Sequence, residues 1–208
     1  MAPAASAQPK VTLRIEPPAA WPSAPLAPPD LSETPQVTLV EWRAWGPDRL
    51  PNVRFVVGCF ASEVTTWAEE ADDIALDKLA QIASSTALRV AGLGAFTRTA
   101  RAKTTLVTTA RLEGTGDSRG VLSATTVLGF TAGQAYGCFV LCVDPTQTCR
   151  DSAFTAALDG PLTPPPAPNV AVRTLALLVH HPGAAGWGLV GLFVGAGALA
   201  VATRKRPR

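Results

Sequence analysis

The chain has 208 residues, with 18 Lys and Arg against 16 Asp and Glu and a formal net charge of +2. Four of the cations fall in residues 204–208, so the body is close to neutral and has no basic patch interleaved with aromatics, which excludes nucleic acid as a partner. With an apolar C-terminal segment and a Pro-rich start set aside, about 150 residues remain, the size of one ordinary domain.

Residues 1–10 carry no periodicity and are expected to be disordered. They lack the charged start and the apolar run of about 7–15 residues that mark a secretory signal. If Met1 is the true start, the targeting element is C-terminal. Residues 11–15 (VTLRI) alternate as a strand does, and a Pro-rich stretch over 17–35 then reads as an extended connection running over the surface. Val37–Trp45 and Val53–Ala61 are rich in β-branched and aromatic residues and predict two strands, with Gly46, Pro47 and Asp48 turning the chain between them.

One long helix follows. Thr66-Trp67-Ala68-Glu69 has the form of a capping box, in which hydroxyl and carboxylate satisfy free N–H groups reciprocally. Trp67, Ala71, Ile74, Ala75, Leu79, Ile82 and Ala83 recur at three- and four-residue steps as one apolar stripe. Gly92 and Gly94 end it. Residues 104–113, 121–131 and 134–143 then read as strands with short Gly-containing connections. Such links suit an antiparallel meander, because parallel neighbours need a crossover of about a dozen residues. A short helix is expected around Asp151–Leu158.

Residues 161–183 form a Pro-rich hinge (Pro161–Pro168) and a juxtamembrane segment. Ala184–Thr203 is uncharged, and about 20 apolar residues at roughly 1.5 Å each span the roughly 30 Å core of a bilayer. Trp187, Leu189, Val190, Leu192, Phe193, Val194, Leu199 and Val201 face lipid in that reading, and Arg204, Lys205, Arg206 and Arg208 hold the head-group region. Gly191 and Gly195 form a G-x-x-x-G pair, a candidate contact for a homodimer through the membrane helix. The arrangement is that of a single-pass, tail-anchored protein with a cytoplasmic body. The basic tail argues for the opposite sidedness, since Lys and Arg favour the cytoplasmic side.

The expected fold class is α+β: an antiparallel sheet of about six strands covered by one long and one short helix, over residues 11–160, plus the C-terminal transmembrane helix. This element order, with the IEPPAAW start and the strand pair GFTAGQAYGCFVLC, resembles the PsbP/Mog1/DcrB-like α/β sandwiches. The resemblance covers roughly residues 11–160 and rests on element order. It implies a small non-enzymatic domain that binds partners or supports an assembly, and it transfers no functional residue.

Among the chemical groups, the cysteines come first. Cys138 and Cys142 share a strand face but lie about 13 Å apart along it at ~3.3 Å per residue, too far for a mutual disulfide. The pairings that geometry allows are Cys59 with Cys138 across neighbouring strands and Cys142 with Cys149 across a loop. In a cytoplasmic body these cysteines are buried thiols; in an exported one they are disulfides. C-x3-C in an extended segment converges poorly on a metal, so no metal site is expected. The acidic run Glu69, Glu70, Asp72 and Asp73 complements the helix dipole on a solvated face. Arg98, Arg101 and Lys103 solvate a loop after the helix. Gly114–Gly120 has the glycines of a phosphate loop but no following Lys-Ser/Thr or helix, and is a hairpin connection. His180 and His181, the only histidines, stand at the membrane entry, and no G-x-S-x-G or H-E-x-x-H motif is present.

These features point away from an enzyme and require no cofactor. The expected function is a domain presented at a bilayer surface for an unidentified protein partner, with Trp21, Trp42 and Trp45 as candidate anchors. Two alternatives remain: an exported, disulfide-containing envelope domain retained by its C-terminal helix and Arg cluster, and a carrier of a small apolar ligand between sheet and helix.

Overall fold

The structure, a computed structural model, describes residues 11–32, 34–69, 71–92, 96–114, 121–144 and 156–168, with residues 121 and 122 described in backbone only. The expected membrane span 184–203, its basic tail, Gly191 and Gly195, His180 and His181, Cys149, Glu70 and residues 1–10 lie outside the described residues. Among the described residues no helix is long and apolar enough to cross a membrane. The chain divides into two compact units, Met1–Pro166 and Ala167–Arg208. Of the second, only Ala167 and Pro168 are described, and the architecture below is that of the first.

The elements in chain order are β1 (Thr12–Arg14), β2 (Val37–Trp45), β3 (Arg54–Glu63), α1 (Ala71–Ala91), β4 (Phe96–Lys103), β5 (Val107–Gly114), β6 (Val121–Thr131), β7 (Gln134–Asp144) and β8 (Ala157–Asp159). Six strands form one antiparallel sheet in the order β2-β3-β7-β6-β5-β4, and β1 pairs with β8 as a separate two-stranded ribbon. The fold is α+β, mostly sheet, with one helix among the described residues.

The central strands β3 and β7 are apolar almost throughout because both sheet faces are covered. Phe55, Val57 and Cys59 of β3, with Cys138, Val140 and Cys142 of β7, pack under the ribbon residues Leu13 and Leu158 and the preceding Val11. The alternate residues Val56 and Phe60, with Phe139, Leu141 and Val143, pack under Leu79, Ala83 and Ala87 of α1. A sheet buried on one face only would show polar alternation in these strands, and neither has it.

Three expectations are corrected. The second cover of the sheet is the β1–β8 ribbon: Ala157 and Leu158, placed in a short helix by the sequence reading, are strand residues paired with Arg14 and Leu13. Leu158 is held there by Gly129, where an added Cβ would stand 2.7 Å from its Cδ1. Secondly, Arg98, Arg101 and Lys103 lie in β4, an edge strand with a bulge between Arg98 and Ala100, where charge and irregular register discourage further pairing. Thirdly, α1 starts at Ala71, beyond the expected capping box. Ahead of it, the amides of Ala71 and Asp72 donate to the carbonyls of Ala68 and Glu69. The helix ends at Ala91, and Gly92 accepts the left-handed φ of 70° needed just past it.

The Pro-rich stretch is irregular, as expected, and closes part of the β2 edge. Ser23 bridges to Trp45, Ala24 N–H donates to the Ala44 carbonyl at 2.8 Å, and the Trp42 indole donates to the Leu26 carbonyl at 3.0 Å. Trp21 packs on the ribbon-side core and Leu26 and Leu31 on the helix-side core, so the segment passes from one face to the other around that edge. Trp42 and Trp45 also pack against the core, on opposite faces.

Candidate functional site

The helix α1 lies on the sheet with its two flanks in different environments. At about 100° per residue, Asp72, Leu76, Leu79, Ala83, Thr86 and Ala87 form the buried face. On one side of that face come Asp73 and Asp77, and on the other Ala71, Ile74, Ala75, Lys78 and Ile82.

The acidic flank meets the basic strand. Arg98 binds Asp73 at 2.7 Å and pairs with Asp77; Arg101 reaches Asp73 at 3.0 Å; Lys103 reaches Glu69 at 2.8 Å and Asp72 at 3.0 Å. Asp72 is the buried member. Its carboxylate accepts from the Trp67 indole N–H at 2.8 Å and from the Thr108 hydroxyl at 3.0 Å, besides the two cations. The Lys103 ammonium is held above its ordinary pKa, chiefly by the Glu69 hydrogen bond and further by Asp72. The two charged runs read separately in the sequence, as a solvated helix face and a solvated loop, are therefore partners of one another. No group of three or more His, Cys, Asp or Glu residues among the described ones is arranged to hold a metal.

The opposite flank stands over open space. A cleft of about 400 Å³ runs between α1 and the β3–β7 part of the sheet. Its helix wall is Ile74, Ala75, Leu79 and Ile82; its sheet wall is Phe60, Leu128 and Ala135; Trp67 also lines it. Trp67 is fixed by the indole bond to Asp72 and an edge contact with Phe130, ring centroids 4.9 Å apart. Gly137 sits in the floor, and a Cβ there would stand 3.1 Å from Leu79 Cδ1, so its absence lets the helix settle on β7. Ile74 is 50% exposed at the mouth. Lys78 and Ser62 supply the polar atoms of the rim.

A second, more polar cleft of about 730 Å³ lies towards the ribbon side of the same end of β3, lined by Thr38, Ser62, Glu63, Gln134 and Tyr136 among others. The Tyr136 hydroxyl donates to Gln134 Oε1 at 2.6 Å. Its lining offers hydrogen-bonding groups without a charged cluster.

Of the expected site residues, Cys59 and Cys138 are brought together. They sit opposite one another in the β3–β7 register, both buried, with Cα atoms 4.1 Å apart and a disulfide between them. Cys142 is also disulfide-bonded, and Cys149 lies outside the described residues. A site between sheet and helix was one alternative read from the sequence, but the residues that line this cleft were not singled out. Its signal was there: Ala71, Ile74, Ala75 and Ile82 belong to the expected apolar stripe, yet the residues that bury include Asp72, Leu76 and Thr86, which that stripe omits.

No family model matches the chain, and no curated protein matches its sequence. Among solved structures, LpqN, involved in cell envelope biogenesis of Mycobacterium tuberculosis, aligns with 74% of this chain and 87% of its own at 14% sequence identity and a TM-score of 0.38. An alignment at that level carries no argument about this chain.

Proposed function

We propose that this chain is a non-enzymatic binding domain of an oxidising, extracytoplasmic compartment, tethered to a membrane through residues 184–203, with its ligand in the cleft between α1 and the sheet. The observation that carries the binding reading is the surplus apolar surface of α1. The helix is apolar over a wider arc than it buries, and Ala71, Ile74, Ala75 and Ile82 of the remainder wall one cleft, while Leu88, 58% exposed, stands outside it. A volume of about 400 Å³ falls in the range of roughly 300–1,000 Å³ typical of small-ligand sites. A protein partner would need a patch of about 800 Å² on each side, so a small apolar ligand is favoured over the protein partner expected from the sequence.

The compartment rests on the cysteines. Disulfides persist where the surroundings are oxidising and are rare in the cytosol. The Cys59–Cys138 bridge supports the exported alternative over a cytoplasmic, tail-anchored body. Because both residues are buried, the test uses denatured protein. Cells are acid-quenched and the chain is alkylated in denaturant, with and without prior reduction, and mapped by mass. Adducts at Cys59 and Cys138 that appear only after reduction support the proposal. Adducts formed without reduction show free thiols and return the body to the cytosol.

A further inference from the structure

We propose that the ligand of the α1 cleft is a single-chain fatty acid whose carboxylate meets Lys78 at the rim, an inference that rests on the cleft being a binding site. The inner walls, Phe60, Leu79, Ile82 and Leu128, offer no hydrogen-bonding side chain, so the buried part of the ligand is hydrocarbon. If a methylene group fills the ~30 Å³ that a water occupies in the liquid, the cleft of about 400 Å³ holds roughly a dozen of them.

The charge at the rim selects the head group. Lys78 is the one charged residue among the described lining. It hydrogen-bonds Gln81 Oε1 at 3.2 Å and makes no ion pair with a described residue. Its neighbours three and four positions away along the helix are Ile74, Ala75, Gln81 and Ile82, none of them acidic. The described acids of α1, Asp72, Asp73 and Asp77, lie on the other flank and are paired with Arg98, Arg101 and Lys103. An apolar slot with an unneutralised cation at its mouth complements an anionic amphiphile. A neutral alcohol leaves that cation unused, and an alkylammonium is repelled by it.

The test uses the full chain in lipid nanodiscs and two photoreactive probes, dodecanoic acid and dodecanol, each carrying a diazirine at the chain terminus. Labelled peptides are mapped by mass. The expected result is labelling of Ala71–Ile82 and of Phe60 by the acid, competed by unlabelled dodecanoate. Lys78→Gln, at an exposed position, lowers labelling by the acid about two- to five-fold, the scale of a rim ion pair, and leaves labelling by the alcohol unchanged. Labelling by acid and alcohol alike, insensitive to Lys78→Gln, overturns the carboxylate assignment and keeps an apolar ligand. Absence of cleft labelling by both probes overturns this inference and the binding reading beneath it. Ala75→Trp, which fills the cleft, separates specific from adventitious labelling: loss of signal with both probes supports the assignment, and an unchanged signal refutes it.

Discussion

Replacing Asp72 tests whether α1 is pinned along one flank. Its side chain is 3% exposed and is approached by four donors: Trp67 Nε1, Thr108 Oγ1, Arg101 and Lys103. Asp72→Ala leaves the Trp67 N–H and the Thr108 hydroxyl without their acceptor, at about 1–3 kcal/mol each. The cations lose less, because Lys103 keeps Glu69 and Arg101 keeps Asp73. The expected total is about 3–5 kcal/mol, in the range for breaking a buried pair from one side. Asp73 provides the control. It belongs to the same ladder but is 34% exposed, so Asp73→Ala is expected to cost about 0–1 kcal/mol. Asp72→Asn keeps an acceptor for one neutral donor and falls between the two. In urea, where a small domain has a slope of about 1–3 kcal/mol per molar, Asp72→Ala lowers the unfolding midpoint by more than about 1 M. The Asp72→Ala/Thr108→Val double variant loses less than the sum of the singles, because the two groups share one bond. A midpoint for Asp72→Ala equal to that of Asp73→Ala would refute the account.

Three further outcomes follow from the structure. Gly58 lies between Trp42 and Phe139, and a Cβ there would stand 2.8 Å and 2.7 Å from their rings. Gly58→Ala therefore costs about 1–3 kcal/mol by overpacking. Gly133→Ala, with φ of 87° in the β6–β7 turn and nothing within 4 Å, costs about 1–2 kcal/mol through the backbone alone; thermal melts of the two variants should differ in that order. The Lys103 pKa is raised in the fold, so its contribution to stability is complete below the unfolded lysine value of about 10.4 and is lost as pH rises through the folded value. Urea midpoints measured from pH 8 to 11 should fall for the wild type and fall less steeply for Lys103→Gln; parallel curves would show that the Glu69 contact contributes nothing.

Much of the sheet was legible because its signals are local. Residues 121–131 and 134–144 alternate faces and are joined by the two-residue link Ala132–Gly133, so their pairing needs no distant information. β4 was missed for the opposite reason. Residues 96–103 (FTRTARAK) hold few apolar positions and three cations, which reads as solvated loop until acidic partners from α1 are placed beside it. Leu158 was misread because a three-residue strand has no periodicity, and its state is decided by Gly129 and Leu13 from far along the chain.

The width of the helix stripe carries the most about function. An amphipathic helix that only covers a sheet needs an apolar arc as wide as its contact. The buried arc of α1 also includes Asp72 and Thr86, each satisfied within the fold: Asp72 by its donors, and Thr86 by donating to the Ile82 carbonyl at 2.8 Å. Polar residues thus take positions inside while Ile74 and Ile82 stand towards the cleft. Packing alone would favour the reverse exchange, since a buried isoleucine contributes about 1.5–3 kcal/mol relative to an exposed one. Ion pairs to β4 on one side hold α1 against the sheet without using its other flank. That leaves an apolar wall along the other flank, as the proposed ligand cleft requires and a merely protective helix would not.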